Sequence, residues 1–275
     1  MQQKKSWSQK LLWTSLLIGL IIVIAPIVWV VLGAFKTNTE IFGSPFTLPK
    51  SWRLDNIISA WNLGNFNIYL WNSAVITGGC MLIVFLVACP AGYALAQLRF
   101  QGSKLMFYFF MLGIAILVQS IIIPIFYQVK SLGLINTLTG MTMVSAALAL
   151  PFSVFLMRNS FKDIPSEIRE AAIIDGAGEW KSYFNIMLPM AKPGVVTLMV
   201  FTFMHTWNDF LLPLVMLISN NKFTVALGLY SFQHEFTSEY GLIFGGTLIS
   251  MIPSLIVYMI FQRQFISGMA AGSNK

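Results

Sequence analysis

The sequence predicts an all-α, polytopic membrane protein with six transmembrane helices and a polar cytoplasmic loop. Hydrophobic residues make up 57% of the 275 residues and charged residues only 10%, whereas soluble domains carry about 25% charged residues. The charges are also unevenly spread, so that long stretches of the chain carry none. A chain with this composition lacks the charged surface of a soluble protein. We therefore predict a single transmembrane domain over residues 1–275.

Apolar segments of the length that crosses a bilayer recur six times, since one spanning helix needs about 20 apolar residues. A cleavable signal peptide is the alternative for the first segment. Its apolar run is too long for that, and no small-x-small cleavage site follows. Pro124 and Pro151 fall inside two of the segments, where neighbouring helices can satisfy the freed carbonyl groups. The six predicted spans cover residues 11–35, 73–97, 105–129, 138–157, 194–218 and 241–261.

The basic residues orient the predicted spans. Six spans place both termini on one side, and twelve of the 17 bases then fall on that side, which the positive-inside rule makes cytoplasmic. A net charge of +7 could indicate nucleic-acid binding, but these bases are dispersed and flank apolar runs. We therefore expect no nucleic-acid partner. The predicted cytoplasmic bases are Lys4, Lys5, Lys10, Arg99, Lys104, Arg158, Lys162, Arg169, Lys181, Lys192, Arg263 and Lys275.

The segment 158–193 is a predicted cytoplasmic loop that contains two short helices. "DIPSEIREAAIIDGAG" predicts a helix over 165–175, with Pro165 near its first turn and Gly176 at its end. A second helix is predicted over 179–188, with Trp180, Phe184 and Met187 on one apolar face. The first helix is too short to be stable alone in water. It either packs on the membrane and its own spans or inserts into a groove of a cytoplasmic partner.

The same loop resembles the Glu-Ala-Ala (EAA) loop of binding-protein-dependent ABC importer permeases. That pattern, Glu-Ala-Ala-x3-Gly-x9-Ile-x-Leu-Pro, is met from Glu170 to Pro189 in "EAAIIDGAGEWKSYFNIMLP". Other stretches are similar to the sugar-importing branch of that family. They are "GAFKTNTEIFGSPFTLPKSWRLDNIISAW", "WNSAVITGG", "AGYALAQLRFQG", "FTFMHTWNDFLLPL" and the tail "FQRQFISGMAAGSNK", which is similar to that of the maltose-type second permease.

The resemblance implies a permease subunit in a prokaryotic inner or plasma membrane. It implies a second, related permease, two cytoplasmic ATPase subunits and an extracytoplasmic solute-binding protein as partners. ATP and magnesium would bind to the ATPase partners, so that neither enzymatic activity nor a cofactor or metal is expected in this chain, which has no G-x-x-x-x-G-K-[ST] motif. The transported solute would be a sugar or oligosaccharide.

The resemblance also assigns roles within the loop. The EAA helix would dock in a cleft of the ATPase and move when the ATPase dimer closes on ATP. Glu170 would be its polar anchor, Ala171 and Ala172 would be the small contacts that permit insertion, and Gly176 would turn the chain back. Asp175 lies on the same predicted helix and belongs to the same coupling site.

A polar cluster in the fifth span is the candidate substrate pathway. It contains His205, Trp207, Asn208 and Asp209, and Asp209 is the acid that falls inside a predicted span. Ionisable groups in a membrane usually face a cavity or a partner. A Trp ring can stack on a sugar, and amide or carboxylate groups bind hydroxyls. The alternative is that these residues pair with the second permease. Weaker candidates for the cavity are Asn72, Gln119 and Tyr127.

Other classes of function fit the sequence less well. A secondary transporter would need coupling carboxylates in paired repeats, and the spans contain one acid and no repeat. A membrane enzyme would need a catalytic constellation, which His205 and His234, about one span apart, do not form. Within the importer class, a polyamine or glycerol phosphate remains an alternative solute.

Overall fold

The computed structural model describes residues 2–45, 47–235 and 239–273. For residues 2–8, His234 and residues 263–273, only the backbone is described. The side chains of Lys4, Lys5 and Arg263 therefore lie outside the description, as does Lys275 entirely. Within the described residues the chain is helical with no β-strand, which confirms the predicted all-α class.

The helices are numbered in chain order, and a π-helical turn over Tyr183–Met187 and a 3₁₀ turn over Asn220–Lys222 interrupt them. The α-helices are α1 (Gln2–Gly33), α2 (Asn38–Gly43), α3 (Asp55–Leu63), α4 (Phe66–Gln97), α5 (Ser103–Ala115), α6 (Val118–Ser131), α7 (Leu138–Lys162), α8 (Ser166–Ile174), α9 (Glu179–Ser182), α10 (Leu188–Met190), α11 (Lys192–Trp207), α12 (Leu211–Met216), α13 (Val225–Glu235) and α14 (Tyr240–Ser273).

Four segments among the described residues are long and apolar enough to cross a membrane as single helices: Gln9–Gly33, Phe66–Gln97, Leu138–Lys162 and Tyr240–Gln262. They contain the first, second, fourth and sixth predicted spans almost entirely. Two further segments meet the same test only as bent pairs, Ser103–Ala115 with Val118–Ser131 and Glu179–Met190 with Lys192–Trp207. The number of candidate spans is therefore four, or up to six if each pair counts as one.

The third and fifth predicted spans are not continuous helices, and in this respect the sequence prediction is wrong. The third span breaks between α5 and α6, which meet at 101°. The fifth ends as a helix at Trp207 and resumes at Leu211. Hydropathy averaged over a whole span does not detect such breaks, because the segment as a whole remains apolar. The second span also begins earlier than predicted, at Phe66.

The contacts divide the chain into two compact units. The first comprises Met1–Asn67 and Gly228–Ile252. In it, the side chain of Lys36 is buried, and its ammonium donates to the carbonyl oxygens of Ser44 and Pro45, both at 3.0 Å. Asn56 of α3 donates to the carbonyl oxygens of Ala34 and Lys36. These bonds order the segment between α1 and α3.

The second unit comprises Ile68–Leu227 and Pro253–Lys275, and it contains every candidate functional residue. Helices α4 and α7 cross closely at Gly92, where an added Cβ would lie 2.8 Å from the backbone nitrogen of Arg158. Such close contacts between small residues are typical of membrane helix pairs. At the same end, the amide of Gln97 donates to the carbonyl oxygens of Phe161 and Ile164. The end of α7 is thereby fixed just before α8 begins.

Candidate functional site

The predicted loop helix exists as α8, Ser166–Ile174, one residue shorter at each end than the predicted range 165–175. Ala172 is 6% exposed and faces its own unit, together with the half-buried Ile168. Glu170, Ala171 and Asp175 are exposed, and Ile174 is 84% exposed. The adjacent Ala171 and Ala172 therefore have different surroundings: one faces solvent, and the other packs inside the chain.

The end of α8 is a Schellman turn. Gly176 has a φ of +85°, a left-handed conformation that favours glycine. The backbone N–H of Ala177 donates to the carbonyl of Ala172 at 2.9 Å, and that of Gly176 to the carbonyl of Ile173 at 3.0 Å. This pair of hydrogen bonds satisfies carbonyl groups that the helix end would otherwise leave free. The predicted position of Gly176 at the helix end is confirmed, and the chain turns there in one fixed way.

An ion pair joins α8 to the helix that follows it. The Arg169 guanidinium binds both carboxylate oxygens of Glu179, with 3.1 Å between Arg169 Nε and Glu179 Oε2. The hydroxyl of Tyr93, on α4, donates to the same Oε2 at 3.1 Å. Paired bonds of this kind fix geometry as well as contribute energy. Both short helices of the loop are therefore tied to the end of α4.

The hydrogen bonds of this cluster change the acidity of its members. The bond from Arg169 lowers the pKa of the Glu179 carboxyl below its usual range. The bond to Glu179 raises the pKa of the Arg169 guanidinium. Both groups are consequently charged over the whole range in which cells operate.

The second loop helix differs from its prediction. Instead of one helix over 179–188, the chain forms α9, a π-helical turn and α10. Trp180 and Phe184 are 71% and 55% exposed and stack on each other, with 6.0 Å between ring centroids. Met187 is fully buried. The predicted shared face is therefore wrong, because the wider π turn carries Met187 away from the two aromatic rings.

A polar cleft of about 640 Å³ opens beside α8. Its lining combines cationic side chains from the ends of α4 and α7 with carboxylates from α8, so both signs of charge are available to a docked partner. The ionic residues that line it are Arg99, Lys162, Glu167, Arg169 and Glu170. Among the described residues, no hydrogen bond or ion pair holds the Glu170 carboxylate.

The predicted substrate residues lie at the break after α11. Asp209 Oδ1 accepts from the backbone N–H groups of Leu211 and Leu212, at 3.1 and 3.4 Å, and so begins α12. His205 is exposed and stacks on Phe201, with 6.3 Å between ring centroids. His205 and Asp209 line one cleft of about 320 Å³.

Trp207 and Asn208 lie outside that cleft. Trp207 is 6% exposed, stacks on Phe203 at 5.3 Å between ring centroids, and packs with Tyr69 and Val225. Asn208 is exposed, and its amide donates to the carbonyl of Met204. The structure therefore brings together only two of the four predicted residues. Stacking of a sugar on Trp207 requires a conformation in which this ring is uncovered.

Of the weaker candidates for the cavity, Gln119 lies at the cleft and Asn72 does not. Gln119 lines the cleft with His205 and Asp209. The amide of Asn72 instead donates to the carbonyl oxygens of Asn221 and Phe223, both at 3.0 Å, which is a structural role.

One residue of the cleft was missed from the sequence. Ser145, on α7, is 7% exposed, lines the cleft, and its hydroxyl has no hydrogen-bond partner. A single serine in an apolar span carries no distinguishing signal, because serine commonly joins spanning helices. Only the position of α7 against the two broken spans brings Ser145 to this place.

Comparison with known proteins gives one family. Residues 88–270 match the model of the family described as "binding-protein-dependent transport system inner membrane component". The matched region contains α8, the Schellman turn and the cleft.

Curated relatives match over almost the whole chain. A diacetylchitobiose uptake system permease protein of Streptomyces coelicolor is 35% identical, over 94% of this chain and 86% of the relative. A multiple sugar-binding transport system permease protein of Streptococcus mutans is 34% identical, over 94% and 95%. An arabinooligosaccharides transport system permease protein of Halalkalibacterium halodurans is 31% identical, over 92% of each chain.

A solved structure has the same fold. It is a chain of a bacterial ABC transporter involved in the import of the acidic polysaccharide alginate. The two chains superpose with a TM-score of 0.80 at 21% identity, over 92% of this chain and 95% of the other.

Proposed function

Because this chain belongs to the family of binding-protein-dependent transport system inner membrane components, we propose that it is the permease subunit of an ATP-driven importer that carries a sugar or oligosaccharide. The names of the curated relatives support a carbohydrate solute, since they refer to transport systems for diacetylchitobiose, arabinooligosaccharides and multiple sugars. An extracytoplasmic binding protein delivers the solute, and a second permease completes the channel. We further propose six spans, the upper count that the described helices allow, with the fifth beginning at α11 and with both termini in the cytoplasm.

The observation that carries the coupling part of this proposal is the construction of α8. The helix is tied to its own unit by Arg169, Glu179 and Ala172, while Glu170, Ala171 and Ile174 face outward. A nine-residue helix without such ties would not keep its shape in water. Held in this way, α8 can enter a groove of a cytoplasmic ATPase and transmit force in both directions.

In this mechanism the chain catalyses nothing itself. ATP and magnesium bind to the two ATPase subunits, and closure of these subunits moves α8 as a rigid body. Only one arrangement of the spans fits the closed ATPase pair, so ATP binding shifts the population between inward-facing and outward-facing states. Ala171 permits close approach to the groove, Glu170 and Asp175 supply polar contacts, and Gly176 fixes the direction in which the chain leaves it.

Replacing Glu170 by lysine tests this assignment. Glu170 is exposed and has no hydrogen-bond or ion-pair partner among the residues that the structure describes, so the variant is expected to insert and fold normally. Binding-protein-stimulated ATP hydrolysis of the complete reconstituted transporter should fall by at least about tenfold, which is about 1.4 kcal/mol of lost coupling. Lys181→Glu, an exposed charge reversal in the same loop at an unspecified position of the Glu-Ala-Ala pattern, is the matched control and should hydrolyse ATP normally.

Normal coupled hydrolysis by Glu170→Lys would show that α8 is not the coupling helix. The solute class is tested separately, by measuring uptake of diacetylchitobiose, arabinooligosaccharides, a polyamine and glycerol phosphate by the wild-type complex. Uptake of the polyamine or of glycerol phosphate alone would replace the carbohydrate assignment.

A further inference from the structure

The cleft that contains Ser145 is built from two interrupted spans. One wall is the break between α5 and α6, with Ile116, Leu117 and Gln119. The opposite wall is the end of α11, with His205 and Asp209, and the start of α12. Backbone that leaves its helix at membrane depth normally lines a cavity or is buried in protein, and interrupted helices recur at the solute sites of other membrane transporters. The break between α5 and α6 and the break after α11 both open onto this one cleft.

Ser145 lines the cleft, and among the described lining residues its hydroxyl is the one group that is both buried and unpaired. Leaving a buried hydroxyl without a hydrogen bond costs roughly 1–3 kcal/mol. Other serines of the same helix satisfy theirs within the helix: Ser153, eight residues further on, donates to the carbonyl of Ala149 at 2.7 Å. The difference is specific to the position that faces the cleft.

The remaining polar groups converge on the same space from different helices. Asp209 uses Oδ1 to begin α12, while no hydrogen bond from the described residues reaches its second carboxylate oxygen. Gln119 and His205 stand at the rim, both exposed. Apolar side chains, among them Leu148 and Leu212, form the rest of the lining. Apolar walls with a few convergent polar groups are typical of small-molecule sites, as is a volume of about 320 Å³.

We propose that this cleft is a transient binding site for one ring of the carbohydrate during its passage, with Ser145 as the buried hydrogen-bond partner of a sugar hydroxyl. This proposal rests on the proposed function and deepens it, because it names the residues that contact the solute. A carboxylate, an amide and a hydroxyl suit the alternating donors and acceptors of a sugar. An uncompensated carboxylate disfavours an anionic solute. Trp207 has no part in this site.

Chemical labelling of the assembled transporter tests the site. Ser145→Cys is placed in a chain whose Cys80 and Cys89 are replaced by alanine, and a small thiol-specific reagent is added with and without diacetylchitobiose or an arabinooligosaccharide. Because a bound ligand usually has most of its surface buried, the sugar that the complex transports should lower the labelling rate at least about fivefold. Ser153→Cys, a buried position on the same helix outside the cleft, is the control and should be insensitive to sugar.

A second variant tests the site through transport. Ser145→Leu fills the cleft and should reduce sugar uptake at least about tenfold, while Ser145→Ala, which only removes the hydroxyl, should raise the half-saturating sugar concentration about threefold to tenfold. Ser153→Ala should transport normally. Protection of Ser145→Cys by sugar supports the site even if the leucine variant fails to assemble.

The possible failures can be told apart. Suppose that the wild type imports a carbohydrate, but that sugar does not protect Ser145→Cys and Ser145→Leu takes up sugar at the normal rate. This site is then excluded and the proposed function stands. If spermidine protects the thiol and sugars do not, the cleft binds a cation and the carbohydrate site is excluded. If the wild type imports no carbohydrate, both proposals fall.

Discussion

The ion-pair cluster of the cytoplasmic loop and the Ser145 cleft treat their polar groups in opposite ways. In the loop, Arg169, Glu179 and Tyr93 satisfy one another, and the Schellman turn satisfies the end of α8. In the cleft, the hydroxyl of Ser145 has no partner. Polar groups satisfied within the chain make an element rigid, whereas polar groups left open indicate where another molecule binds. The loop is thus suited to transmit motion, and the cleft is suited to bind a ligand.

The largest effect is expected from stiffness lost in the loop. Gly176→Val places a β-branched residue at a φ of +85°, which costs roughly 1–3 kcal/mol if the turn is kept. The loop should abandon the turn, and binding-protein-stimulated ATP hydrolysis should fall by more than about tenfold, while sugar protection of the cleft persists. The control is Gly178→Ala, since Gly178 has a φ of −66° and open space at its Cβ position. Equal activity of the two variants would mean that the turn does not need its rigid form.

A smaller effect is expected from charge lost in the cleft. In Asp209→Asn, the amide oxygen can still accept from Leu211 and Leu212, so α12 should begin as before. Sugar uptake should fall about fivefold to tenfold, because a charged acceptor makes the stronger hydrogen bond. ATP hydrolysis and the yield of purified complex should stay within about twofold of the wild type. A loss of yield that matches the loss of uptake would indicate instead that Asp209 pairs with the second permease.

The smallest effect is expected from pH. Glu179 has a lowered pKa in the folded loop, so its ion pair contributes stability above the usual glutamate pKa of about 4.3 and loses it as the pH falls through the lowered value. Hydrogen-exchange protection factors of residues 166–190 should therefore be constant from pH 7 to about 4.5 and decrease only below that. Glu179→Gln should have lower protection at neutral pH and lose this dependence. A wild-type decrease already near pH 6 would contradict the ion pair.

The sequence predicts four of the membrane helices and the first loop helix well, because they depend on local signals. Apolar runs of about 20 residues identify four of the helices, and a glycine after an amphipathic helix identifies the turn at Gly176. The break at Ile116–Leu117 has no such signal, since the surrounding residues are mostly apolar, and the polar residues at the break after Trp207 indicate a functional site as readily as a helix end. The positions of these breaks are determined by packing between helices.

The cleft could not be predicted for the same reason. His205 and Asp209 are unusual in an apolar segment and stand out, but Ser145 and Gln119 become significant only when three separate stretches of chain meet. Trp207 illustrates the opposite error. It is next to the polar residues in sequence, yet it points into a packed aromatic cluster with Phe203 and Tyr69.

The π-helical turn over Tyr183–Met187 affects the direction in which neighbouring side chains point around the helix axis. An α-helix advances by about 100° per residue, and a π turn accommodates one additional residue at the same place. The turn therefore sets the angle between Trp180 and Phe184 on one side and the helix that enters the membrane at Lys192 on the other. A chain shortened by one residue here would keep its helices. The two aromatic rings would then point in a direction rotated by about 100° relative to the helix that begins at Lys192. The number of residues in this segment therefore matters to the geometry of the loop as much as their identity does.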